Sequence, residues 1–195
     1  MAPITRVRFV GGLLAAAFLT ASSARAASRE RAVIVVHVEN HAQVSSRVLG
    51  EAERVVDRIY ASAGIRVVWA DQDAQTERTA APLRHLRVLI LSREMTDTMT
   101  RTDDVPENVV GQAQHPVGRA YVLYPRLEDI ATRKWVYITD LLGKVIAHEM
   151  GHLLLNTGHS PSGIMRPGLE LRPVSQERFT VEEIASLQAG LSSGR

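Results

Sequence analysis

Residues 148–167 read His148-Glu149-Met150-Gly151-His152-Leu153-Leu154-Leu155-Asn156-Thr157-Gly158-His159-Ser160-Pro161-Ser162-Gly163-Ile164-Met165-Arg166-Pro167. The first eight continue a pattern that starts near Asp140. Leu141, Leu142, Val145, Ile146, Leu153 and Leu154 recur at helical spacing, which predicts a helix over 140–155 with Thr139 or Asp140 as N-cap. Residues four apart on a helix stack one turn apart on one face, so His148 and His152 aim two imidazoles at one point. That is the geometry of two ligands on a tetrahedral zinc ion. Glu149 stands beside the first of them. It can reach a water on the ion and act as general base without being a ligand.

A catalytic zinc takes three protein ligands and keeps one position open. His159 is the natural third, because Asn156-Thr157-Gly158 supplies residue types that turn a chain back after a helix end. Glu170, Glu177, Glu182 and Glu183 compete for the role as carboxylates from the segment that follows, so the third ligand stays open between His159 and a glutamate.

The H-E-x-x-H helix, the glycine turn, the third histidine and Gly163-Ile164-Met165 resemble the metzincin clan of zinc peptidases, in the matrixin-like style. The resemblance implies that Met165 forms the methionine turn, an apolar floor under the ligands. It also implies an antiparallel edge strand lining a cleft. The spacing departs from the clan pattern H-E-x-x-H-x-x-G-x-x-H. Leu155 stands where its glycine belongs, and the third histidine comes one residue late. Arg166 lies near the place where some clan members carry a tyrosine that assists the oxyanion, so that role is unassigned.

Outward from this stretch, Ala32–Val38, Ile65–Trp69, Leu86–Leu91 and Arg119–Tyr124 are β-branched or apolar runs and predict strands. A helix capped by Ser45 or Ser46 carries Val48, Leu49, Ala52, Val55, Val56, Ile59 and Tyr60 on one face and ends at Gly64. Thr180 and Glu183 form a capping box that opens a last helix. Residues 71–82 read as a polar loop, and 92–110 show no period and read as a surface excursion. The order predicts an α+β fold, resembling a three-layer α/β sandwich, with a mixed twisted sheet and an active-site helix.

Composition bounds the rest. The chain has 195 residues, 45% of them apolar, enough for one domain with a sizeable core. Arg6 and Arg8, the apolar run Phe9–Leu19 and the small-x-small site Ala24-Arg25-Ala26 predict a signal peptide over 1–26. A single peptidase domain would then fill 27–195, exported to the periplasm or secreted. Of 23 Lys and Arg, Arg6, Arg8 and Arg25 leave with the leader; the remaining 20 face 21 acidic residues, a formal charge of −1. No basic excess remains to argue for nucleic acid. There is no cysteine, hence no disulfide staple and no cysteine-based latency.

These readings converge on an exported zinc metallopeptidase, an endopeptidase acting on protein or peptide through His148, Glu149 and His152 with Zn2+. It is expected to be a monomer, with no membrane partner once the leader is cleaved. The other reading is a secreted binding module whose zinc is structural, or an inactive relative. A structural zinc is usually closed by four ligands, often cysteines, and here there are none. Elsewhere, His115 lies where a cleft edge is expected and is a candidate for the substrate side. His37, His41 and His85 read as structural or exposed, and Trp69 and Trp135 as packing residues.

Overall fold

β-branched runs set the sheet. In the computed structural model, which describes residues 32–70, 84–155, 158–168 and 171–192, Ala32–Asn40 forms β1. It pairs in parallel with β2 (Ile65–Ala70) on one side and with β3 (Arg84–Ile90) on the other. β3 pairs in parallel with β5 (Arg119–Val122), and β4 (Gly111–Gln114) runs antiparallel to β5 at the sheet edge. The strand order is β2-β1-β3-β5-β4. Parallel neighbours need crossover connections, and α1 (Ser46–Ser62) supplies one between β1 and β2. The expected leader over 1–26, the start at Ala27 and the loop 71–82 lie outside the described residues.

Ser45 caps α1, its hydroxyl accepting from the Val48 N–H, and Ala52, Val55, Val56, Ile59 and Tyr60 form its buried face. That face meets the sheet residues Ile34, Val36, Leu86, Val88, Ile90, Ala120 and Val122 in one core. The predicted central helix, α4 (Ile138–Leu155), is buried over most of its circumference and packs into the same core. It approaches α1 closely at Gly143. A Cβ there would lie 2.5 Å from Val55 Cβ and 2.7 Å from the Ala52 carbonyl oxygen, so only glycine permits the contact. The last helix, α5 (Val181–Ser192), has the capping box the sequence predicts: Thr180 N–H donates to Glu183 Oε2 at 2.8 Å and Glu183 N–H to Thr180 Oγ1 at 3.3 Å.

Four expectations are revised. Residues 93–102 form a helix, α2, capped by Ser92 through the Met95 N–H. It buries only Thr96, so it has no apolar stripe for a periodicity argument to find. β5 stops at Val122, and Tyr124–Lys134 forms α3. Pro125 lies in the first turn of α3, where its missing N–H is harmless, whereas it cannot donate to a strand ladder. α4 starts before Thr139 and Asp140; the N–H groups of Asp140 and Leu141 both reach the Tyr137 carbonyl, and Asp140 instead adds negative charge to the first turn. Trp135 packs against nothing and is 95% exposed, whereas Trp69 is half-buried with its indole N–H on Asp57 at 3.0 Å.

The fold is therefore α+β with a mixed sheet, as the sequence predicts; the sheet has five strands, β4 adding to the four runs read from the sequence, and it belongs to one compact unit. Among the described residues no helix is long and apolar enough to cross a membrane.

Candidate metal centre

The helical spacing of His148 and His152 brings their Nε2 atoms to 3.1 Å. His159, from the segment after α4, brings its Nε2 to 3.3 Å from that of His152. The three ligand atoms all lie within 4.8 Å of one another. Zn–N bonds of 2.0–2.1 Å in a tetrahedron imply N···N edges of about 3.3 Å. The two edges at His152 match that length, and the third is no longer than 4.8 Å.

The chemistry of the donors agrees with the distances. His148 Nδ1 lies 2.7 Å from the Ile164 carbonyl oxygen, which can only accept, so Nδ1 carries the proton. The lone pair of a neutral His148 is then on Nε2, pointing into the cluster, and the Ile164 carbonyl holds the ring in that orientation. Burial, opposed by the Ile164 bond and reinforced by His152 and His159, lowers the His148 pKa to about 4. The imidazole is thus neutral and ready to ligate at ordinary pH.

Glu149 is buried, 5% exposed, and burial raises its pKa to about 8 in the absence of an ion. A dication at the neighbouring histidines would favour the carboxylate. Its carboxyl group lies against the backbone of β4, where a Cβ on Gly111 would stand 2.5 Å from Oε1. Two hollows meet here. One of ≈ 340 Å³ runs from His148, Glu149 and His159 past Val109, Val145 and Ile164. The other, ≈ 430 Å³, is lined by Gly111–Ala113 of β4, His115 and the three histidines. The antiparallel edge strand thus lines the cleft, with His115 on its wall.

The floor is built by close packing. Met165 is fully buried, and a Cβ on Gly151 would collide with its Sδ, so the glycine inside the H-E-x-x-H helix makes room for Met165. The turn carrying Met165 is fixed at both ends. Ser160 N–H donates to the Met165 carbonyl at 2.8 Å, and Ile164 N–H to the Arg178 carbonyl at 2.9 Å. Gly163 has φ +76, a left-handed conformation that brings its backbone onto Arg178. Tyr60 of α1 donates from its buried hydroxyl to the Ala147 carbonyl at 3.1 Å, anchoring α4 one residue before His148.

Two of the competing carboxylates, Glu177 and Glu183, are engaged elsewhere. Glu177 is buried between Lys144, at 3.6 Å, and Arg166, at 3.4 Å. Lys144 also donates to the Arg172 carbonyl, so this ionic group ties Arg166 and residues 172–177 to α4. Glu183 serves the capping box and accepts from Ser160. Glu182 is exposed, and Glu170, like Asn156 and Thr157 of the expected turn, lies outside the described residues. His37 and His85 stack on the sheet with their ring nitrogens 3.2 Å apart, and His41 lies 3.5 Å from Glu39; none joins the cluster.

Gly111, Tyr60 and the Ile164 carbonyl were not identified from sequence. Their roles depend on contacts between distant segments. Gly151 did leave a signal: a glycine in the middle of a strong helix is costly unless something packs against it.

No protein-family model matches the chain, and no curated protein does. Among solved structures, a zinc-dependent peptidase from Methanocorpusculum labreanum is similar at TM-score 0.49 and 16% identity, over 78% of this chain and 99% of that one. Archaemetzincin from Methanopyrus kandleri is similar at TM-score 0.49 and 17% identity, over 85% of this chain and 98% of that one.

Proposed function

We propose that the chain is an exported, monomeric zinc endopeptidase in the matrixin-like style of the metzincins, with residues 27–195 as its single domain after removal of a leader over 1–26. The observation that carries this reading is the convergence of His148, His152 and His159 at tetrahedral spacing beside a buried Glu149 in an open cleft. The three histidines would hold Zn2+, with Met165 as the floor. The ion supplies Lewis acidity, polarising a carbonyl and acidifying a water.

The chain's own residues do the rest. Glu149 takes the proton from the attacking water and returns it to the leaving amine. The exposed side of β4 offers main-chain groups to an extended peptide, which adds as a further strand and lays its scissile bond over the histidines. His115 stands where the substrate leaves β4. Arg126 steadies this rim: it donates to the carbonyls of Pro106 at 2.6 Å and Val109 at 2.5 Å, and Leu123 N–H holds the Val110 carbonyl at 2.9 Å.

The test is cleavage of a broad peptide library by the zinc-loaded chain and by Glu149→Ala. Cleavage by the parent alone, with equal zinc in both, is the expected result. Equal cleavage by the variant overturns the role of Glu149. A folded, zinc-loaded parent that cleaves nothing turns the reading to the binding module with a structural ion.

A further inference from the structure

Attack of water on a peptide carbonyl puts negative charge on its oxygen, and a hydrogen-bond donor facing that oxygen lowers the barrier. Arg166, near the place where some metzincins carry an assisting tyrosine, is paired with Glu177 at 3.4 Å. It lines the hollow on the Lys144 side of Glu149, whereas all three histidines line the other hollow, together with His115.

The sequence around His115 fixes its place. Alternation along β4 turns Gly111 toward Glu149 and Ala113 toward the core, and the next position on that side falls to His115. β4 ends there because Pro116 has no N–H for the ladder. The chain turns back through the single helical turn His115–Val117. Gly118, at φ +62, closes the turn by donating to the His115 carbonyl at 3.1 Å, and its own carbonyl accepts from the Arg87 N–H at 3.1 Å. The backbone of His115 is thus held, while its imidazole is exposed and makes no hydrogen bond or ion pair among the described residues.

The two hollows place His115 relative to the base. Lys144 and Val145 line the first beside residues 108–110, and His148 and Glu149 line both beside Gly111. His152 lines the second beside Ala113 and His115. α4 and β4 therefore advance together, and His115 stands on the His152 side of the cluster, away from Glu149. Four residues of strand carry the chain from Gly111 to His115, about 13 Å, enough for a peptide unit to lie between base and imidazole. As water bonds to the carbonyl carbon from the Glu149 side, the carbonyl oxygen is pushed the other way, toward His115.

We propose that His115 is a further catalytic residue, donating an imidazole N–H to the oxyanion of the tetrahedral intermediate. This rests on the peptidase reading above. The ring has an N–H to give in either protonation state. It transfers no proton: the proton of the attacking water goes to Glu149 and on to the leaving amine as the C–N bond breaks. A donor aimed at developing charge raises kcat without tightening the hold on the substrate itself.

The test compares the zinc-loaded parent with His115→Ala and His115→Gln on the best library peptide. The side chain is exposed, so zinc per chain and the urea midpoint should match the parent. In His115→Ala, kcat should fall on the order of 100-fold, the loss expected for one oxyanion donor, with KM changed by less than about threefold. His115→Gln keeps an amide donor and should recover part of the loss. A second readout needs no turnover. A phosphinic peptide of the same sequence carries anionic oxygens on a tetrahedral phosphorus, and in calorimetry it should bind His115→Ala more weakly by about the same factor, while the cleaved product peptides bind both proteins alike. Parental kcat in His115→Ala overturns the proposal, as does equal affinity for the phosphinic peptide. A loss confined to KM overturns it by making His115 a binding contact, and a loss of zinc or stability alongside kcat by making it structural. A parent that cleaves nothing overturns the peptidase reading and this proposal with it; an active parent with an equally active variant overturns this proposal alone.

Discussion

Gly111→Ala probes the link between the edge strand and the Glu149 carboxylate, the proposed general base. A Cβ on Gly111 would lie 2.5 Å from Glu149 Oε1, 2.8 Å from Cγ and 2.9 Å from Cδ. Nonbonded heavy atoms settle at about 3.5–4.0 Å, so the carboxyl group must withdraw by roughly 1 Å. The backbone itself raises no objection, because Gly111 is not among the residues with positive φ. Replacing glycine at a compatible site stabilises by about 0.4–1 kcal/mol through the unfolded chain. Overpacking opposes this by about 1–3 kcal/mol, leaving a modest net loss of stability. The larger effect falls on turnover, where a 1 Å misplacement of a reacting group costs on the order of 100-fold. The three atoms nearest that Cβ all belong to Glu149, so zinc stoichiometry should be unchanged. The assay is kcat and KM on the best library peptide, with zinc per chain and urea denaturation measured in parallel. Parental kcat in a folded, zinc-loaded variant would refute the claim that this contact positions the base.

Gly143→Ala should destabilise the protein by about 1–3 kcal/mol in urea denaturation: alanine gains about 1 kcal/mol of helix propensity, but its methyl meets Val55 and the Ala52 carbonyl, which cannot swing aside; a stabilised variant would show that α1 and α4 do not touch there. His159→Ala should weaken zinc binding by at least about 100-fold, more than the usual loss of an outer-shell partner, measured by chelator competition; undiminished affinity would move the third ligand to a carboxylate. The metal-free protein should lose stability as pH rises from 6.5 to 8. The folded pKa of Glu149, about 8, lies above the ordinary 4.5, so the folded state holds the extra proton in that window, while the opposite contribution of His148 is confined below 6.5. The fall is about 1.5 kcal/mol over the window, and Glu149→Gln should abolish it in thermal melts; an equal slope in both proteins would place the titration elsewhere.

The local parts of this molecule were legible in the sequence and the long-range parts were not. The strands, α1 and the α5 capping box follow from period and cap residues that act within a few positions. His148 and His152 lie on one face by helical geometry alone. α2 escaped because it buries a single residue, and α3 because Tyr124-Pro125 reads equally as the end of a strand. The gathering of His159 with the other two histidines was one of several open choices. It depends on contacts made more than ten residues away, through Gly163 on Arg178 and Met165 in the space left by Gly151.

Those contacts have a consequence for metal binding. Two of the proposed ligands, His148 and His152, lie on one helix, braced by Tyr60 at Ala147 and by α1 at Gly143. The third ligand and the carbonyl that orients His148 come from residues 158–168, a segment without regular secondary structure. Its anchors include the Ser160–Met165 and Ile164–Arg178 backbone bonds, the Ser160 hydroxyl on Glu183, Met165 against Gly151, and the Lys144–Glu177–Arg166 group at its far end. An ion that bridges His148, His152 and His159 therefore ties this segment to α4 directly. The stability the ion contributes should appear first as protection of amides 158–168 from hydrogen exchange, while those of α4, already deep in the core, change little.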